Sequence, residues 1–154
     1  MVAALKGVPR VYEAVLRDLD YRNGDINEYL RVQGLYLIAQ RHGLVPLGTT
    51  LLTPGANEVL SEADENPADL YVRHACGDWG SIGKYAETEI DDEVRRRGVL
   101  ATADGAKLNK LAIENGAGRI MSSYQVSTGE TLWVMSEDDW SSAPVTTIMT
   151  PDEY

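Results

Sequence analysis

Apolar and polar residues alternate with two different periods along this chain, and the change of period divides it. Pro9 opens a first helical pattern in which Val11, Val15, Leu16 and Leu19 share a face. Asn23-Gly24 supplies turn chemistry and Asp25 a helix N-cap. "INEYLRVQGLYLIAQRH" then predicts a second helix, with Ile26, Tyr29, Leu30, Leu37 and Ile38 along one side and Gly43 as its stop. Two short amphipathic helices cannot bury their stripes alone, so this pair must pack on the rest of the chain or on a second copy. Residues 1–45 are therefore read as an N-terminal helical extension, and residues 9–42 as a candidate homodimerisation element.

From residue 46 the pattern changes. "LGTTLLTP" (47–54) reads as a strand bounded by Gly48 and Pro54. Thr53-Pro54 and Asn66-Pro67 each pair an N-cap residue with proline at the first helical position, which predicts two helices, the second ending at Gly77 with His74 in its last turn. Residues 81–108 read as a variable insertion, with an acidic-then-basic run from Glu87 to Arg97 whose order complements a helix dipole. "KLNKLAIENG" predicts a short helix closed by Asn115-Gly116. "GRIMSSYQV", "STGE" and "TLWVMSE" form two period-2 runs around a Gly-containing turn, a β-hairpin, and "PVTTIMTP" adds another strand. The expected fold is α+β: helices packed on one face of a small, three- to four-stranded antiparallel sheet, as a core domain over 46–154.

Charge restricts the partners. The net charge is −10, and residues 46–154 hold eight Lys/Arg against nineteen Asp/Glu, a balance of −11, while residues 1–45 stand at +1. Such acidity argues against direct binding to a nucleic-acid backbone, which needs a basic patch, and it can steer the chain toward a basic surface on another protein. One cysteine, Cys76, allows no internal disulfide and suits a reducing compartment. The longest apolar run, "LYLIA" (35–39), is too short to span a membrane, and the first ten residues carry too short an apolar stretch for a signal peptide, so a cytoplasmic location and no membrane partner are expected.

Candidate chemistry concentrates in "RHACGDWG" (73–80). As structure, Gly77 takes a left-handed C-cap, Asp78 accepts from nearby backbone N–H groups, and Trp79 plugs the sheet. As a metal site, His74, Cys76 and Asp78 fall short of the four ligands zinc uses, and the other histidine, His42, lies in the extension, so no metal is expected. As a catalytic site, His74 acts as general acid or base with Asp78 fixing its tautomer, and Arg119, Ser123, Tyr124 and Glu137 line the opposite wall. "SEDDW" (136–140) holds three adjacent carboxylates without the spacing of a calcium loop, and "STGE" is no phosphate cradle, so no cofactor is expected. For a binding role, Trp79, Asp138, Asp139 and Trp140 are the candidate contact residues.

His74, "GDWG" (77–80), Asn109, "GRIMSSY" (118–124), "GETLWVMSEDD" (129–139) and "TTIMTPDEY" (146–154) together resemble a family of small "plasmid-related" proteins of bacterial plasmids, integrative elements and phages. The resemblance spans residues 47–80 and 106–154, with residues 1–45 as an addition and a longer interval between Trp79 and Asn109 than the family pattern has. It implies a mobile-element origin and a shared core, and it implies no reaction. The function expected is a protein-binding accessory factor, an acidic inhibitor of a host defence system of anti-restriction or anti-CRISPR type, whose partner is a host nucleic-acid-binding effector. The alternative is a small RNase-like toxin or nucleotide-modifying enzyme using His74.

Overall fold

The computed structural model describes residues 25–85, 90, 105–137 and 139–154, with side chains from Val32 onward. In chain order the elements are α1 (Asp25–His42), β1 (Thr49–Leu52), α2 (Pro54–Ala63), α3 (Pro67–Ala75), α4 (Gly105–Asn115), β2 (Ile120–Gln125), β3 (Thr131–Ser136) and β4 (Val145–Met149), followed by a 3-10 turn over Pro151–Glu153. The helix expected after Pro9 lies outside the described residues, as does the charged run of the insertion up to residue 104, apart from Ile90.

Local chemistry sets the helix starts. Thr53 caps α2 by accepting from the Ala56 N–H at 3.2 Å, and Asn66 caps α3 by accepting from the Ala68 N–H at 3.0 Å, each with proline next in line. Gly43 ends α1 for a different reason from the one expected: a Cβ there would lie 2.6 Å from the Ala39 carbonyl and 2.9 Å from the Ala75 Cβ. The ends of α1 and α3 therefore meet backbone to backbone, and the Leu44 N–H donates to the Ala75 carbonyl at 2.7 Å.

The four strands form one sheet in the order β1-β4-β3-β2. The β2–β3 and β3–β4 pairs are antiparallel, and β1 joins β4 in parallel, Thr49 opposite Val145 through Leu52 opposite Ile148. The sheet is thus mixed, not wholly antiparallel as expected. No hairpin links β1 to β4; the chain between them runs through α2, α3 and α4, so a parallel crossover is open to it.

The helices cover one face. Strand alternation turns Ile120, Ser122, Tyr124, Leu132, Val134, Ser136, Thr146 and Ile148 toward them, all buried. Leu35, Ile38 and Ala39 of α1, Leu60 of α2, and Leu70 and Tyr71 of α3 pack there in one cluster with Tyr124, Leu132, Val134 and Ile148. Val32, Leu35, Ile38 and Ala39 form the buried stripe of α1, and Leu37, expected to lie on it, is 58% exposed. The core runs continuously from α1 into residues beyond 46. A second cluster, with Val45, Trp79, Ala106, Ala112 and Ile120, sits under α4 and the loop after α3.

Candidate functional site

His74 lies in the last turn of α3 on the face that also buries Leu70, Tyr71 and Ala75, positions three to four apart, so the helix aims it into the sheet. It is fully buried. Two hydroxyls on core-facing strand positions meet it there, and a third extends the chain. Nδ1 lies 2.6 Å from Ser122 Oγ and Nε2 lies 2.9 Å from Ser136 Oγ; Ser136 Oγ lies 2.7 Å from Thr146 Oγ1, which donates to the Leu47 carbonyl at 2.9 Å.

Counting protons orients this chain. Thr146 has one hydroxyl proton and gives it to Leu47, so it accepts from Ser136. Ser136 has then spent its proton and accepts from Nε2, which makes His74 the Nε2–H tautomer and leaves Nδ1 to accept from Ser122. Burial among these neutral groups pushes the imidazole pKa down to about 3. His74 is therefore a neutral imidazole with both ring nitrogens occupied.

Asp78 does not orient His74, contrary to expectation, because both imidazole nitrogens already have serine partners. Its carboxylate instead accepts from Arg73 Nε at 2.8 Å and from the Gly80 N–H at 3.2 Å. Burial pushes the carboxyl upward, and these hydrogen bonds with the Arg73 charge outweigh it and hold the pKa below the usual value. The Arg73 guanidinium also lies 4.3 Å from the centroid of the Tyr124 ring, whose hydroxyl donates to the Asp78 carbonyl at 2.6 Å. Burial, above all, drives the Tyr124 hydroxyl pKa well up. Cys76 is half-buried, and burial with the nearby Asp78 charge raises its thiol pKa.

The rest of "GDWG" clamps the sheet edge. Gly77 at φ +88° follows the end of α3, and Gly80 at φ +64° presses its backbone against β2. A Cβ on Gly80 would lie 2.0 Å from the Ser123 carbonyl oxygen. Ser123 N–H donates to the Trp79 carbonyl at 3.2 Å, and Ser81 N–H donates to the Ser123 carbonyl at 2.9 Å, so the loop pairs with the outer edge of β2 like a one-residue strand. Two residues along the same edge, Asn109 of α4 donates to the Met121 carbonyl at 2.8 Å and accepts its N–H at 3.1 Å. Trp79 is fully buried, with Nε1 unpartnered. Burying about 200 Å² of indole at about 25 cal/mol per Å² contributes about 5 kcal/mol, more than the about 1–3 kcal/mol that one unmet donor costs.

The six residues considered for catalysis are dispersed. His74 and Tyr124 lie between the helices and the sheet, while Ser123 and Arg119 take the opposite strand parity, and Arg119 Nη1 donates to the Tyr154 hydroxyl at 2.8 Å. Glu137 is exposed beyond the far end of β3, its N–H donating to the Val145 carbonyl. Asp78 and Tyr124 meet, together with Arg73, which sequence reasoning had not singled out. Nor had it found Ser122, Ser136 and Thr146; their shared parity with Ile120, Val134 and Ile148 was the signal that they face the core. Of the candidate contact residues, Trp79 is buried, Asp138 lies outside the described residues, and Trp140 Nε1 donates to the Gly118 carbonyl at 2.9 Å while its ring packs on the second cluster. Asp139 is exposed and accepts from the Ser141 and Ser142 hydroxyls at 2.8 and 2.7 Å, which bring its pKa to about 2. Among the described residues, no three His, Cys, Asp or Glu side chains are grouped to hold a metal ion, and no helix is long and apolar enough to cross a membrane.

A scan against protein-family models and searches of curated proteins and of solved structures return no match to this chain.

Proposed function

We propose that this chain is a protein-binding accessory factor that acts through its acidity on a basic, nucleic-acid-binding surface of another protein. The observation that carries this reading is the spread of exposed carboxylates. Glu58, Glu62, Asp64, Glu130, Glu137 and Asp152 all face solvent, on a stretch whose charge balance is −11. Such a surface repels a phosphate backbone and complements the channel that would otherwise hold one. In the mobile-element setting that the family resemblance implies, the partner is an effector of a host defence system, and the function is inhibition of anti-restriction or anti-CRISPR type.

The enzymatic alternative, RNA cleavage or nucleotide modification by His74, has less support. A general acid or base must reach its substrate's proton, and His74 is sealed with both nitrogens engaged.

The test is direct titration of the full chain into purified restriction and CRISPR effector complexes during DNA cleavage. Near-stoichiometric inhibition that weakens as salt rises is the expected result. No inhibition of any effector at low salt, or RNA cleavage by the wild-type chain that His74→Gln abolishes, would overturn the proposal.

A further inference from the structure

The strand positions that turn away from the helices form rows across the sheet. Leu51 on β1, Thr147 on β4, Met135 on β3 and Met121 on β2 stand side by side in register, and Met149, Trp133 and Ser123 make the next row. Three of the chain's four methionines therefore share this face. Leu51 is 49% exposed and Met121, Trp133 and Met149 are partly exposed, while Met135 between them is buried.

A sheet that faces water on one side ordinarily alternates to polar residues there. This one presents Leu, Met and Trp instead. Among the described residues, Tyr154 covers part of it: its ring meets the Trp133 ring edge-on at a centroid distance of 5.9 Å, and Tyr154 is itself 69% exposed. Unbranched thioethers beside a large indole make a surface that adapts to the shape of a partner.

Charge chooses the occupant. Glu137 stands exposed just beyond the end of β3 with the parity of Trp133 and Met135, Asp152 is exposed on the 3-10 turn that leads to Tyr154, and Arg119, across the register from Glu137, is already engaged with the Tyr154 hydroxyl. A second copy would bring its own −10 to this rim, whereas a basic surface would complement it.

We propose that the sheet face that no described helix covers is the docking surface for a basic protein partner, with apolar partner side chains seated on Leu51, Trp133 and Met149 and Lys or Arg side chains meeting Glu137 and Asp152. This rests on the protein-binding reading above and names the surface and the chemistry of what occupies it.

The test uses the full chain labelled with ¹³C at its methionine methyl groups. It is titrated with a short peptide of alternating Arg and Leu, and separately with its Glu-Leu counterpart. Saturable shifts of the Met121 and Met149 methyl signals with the Arg-Leu peptide alone are expected. Leu51→Lys weakens that binding about tenfold, as truncating an interface anchor does. Ser61→Lys, the same charge change on α2, alters it less than about twofold. Binding of the Arg-Leu peptide with the methionine signals unmoved would overturn this surface and leave the acidic protein-binding reading standing. Absence of binding at low salt would overturn both. Movement of the same signals on concentrating the chain alone would make a second copy the occupant, and protection of Met121 and Met149 from a soluble paramagnetic agent would mean that the chain covers the face itself; either result rejects the proposal.

Discussion

The two faces of this sheet share a backbone and differ in what their side chains are asked to do. Under the helices, four polar side chains (His74, Ser122, Ser136 and Thr146) are fully or almost fully buried, and every hydrogen bond they make ends on another protein group. On the far side, Leu51, Met121, Trp133 and Met149 are apolar and partly in water. The first face has polar groups where apolar ones would be simpler, and the second has apolar groups where polar ones would be more soluble. A buried, fully satisfied network specifies one arrangement of helix against sheet. A half-exposed apolar surface leaves contacts for something else to complete.

This contrast predicts large effects on one side and small ones on the other. His74→Ala opens a cavity and strands the Ser122 and Ser136 hydroxyls, and the expected loss is about 4 kcal/mol, read from the urea midpoint at constant m. Gly80→Ala forces a side chain onto the Ser123 carbonyl at a left-handed φ, for an expected loss of about 3 kcal/mol by the same measurement. Leu51→Lys on the open face changes stability by no more than about 0.5 kcal/mol. If the open-face substitution proves as costly as either of the others, the division between the faces fails.

Much of the frame was legible in the sequence, because its signals are local. Thr53-Pro54 and Asn66-Pro67 announce helix starts through hydrogen bonds made within three residues. The period-2 runs on either side of "STGE" announce the hairpin, and Gly77 marks the end of α3. What escaped depends on distance along the chain. His74 meets Ser122 and Ser136 across 48 and 62 positions, so its proximity in sequence to Asp78 suggested a pairing that the fold does not make. The parallel joining of β1 to β4 links Thr49 to Val145, and nothing near Thr49 encodes it. In α1, apolar residues stand on several sides, so the stripe was drawn through Leu37, and packing buries Leu35 instead.

The same kind of long-range contact places Glu153. Its carboxylate accepts from the Thr53 hydroxyl at 2.6 Å and the Thr150 N–H at 2.9 Å, and from the Gly55 N–H at the start of α2 at 3.2 Å. The Thr53 hydroxyl first, then the Thr150 groups, bring its pKa to about 2. This fixes the segment that carries Tyr154 to the open side of the sheet.

A pH-dependent effect separates the faces further. The folded-state pKa of His74 lies near 3 against 6.5 when unfolded, so between those values the unfolded chain binds the extra proton. Stability is then fully present above about pH 6.5 and falls with decreasing pH by up to about 1.4 kcal/mol per unit. His74→Gln, whose amide can still donate toward Ser136 and accept from Ser122, should remove that component of the slope. An unchanged slope would mean that the imidazole is not held neutral.

The most direct test of the sealed, structural role of His74 is an NMR titration of its ring nitrogens in the intact chain. One neutral tautomer, protonated at Nε2, is expected, unchanged from pH 7.5 to 4.5 as befits a pKa near 3. A midpoint near 6.5, or a proton on Nδ1, would contradict it and return His74 to the list of groups able to do chemistry.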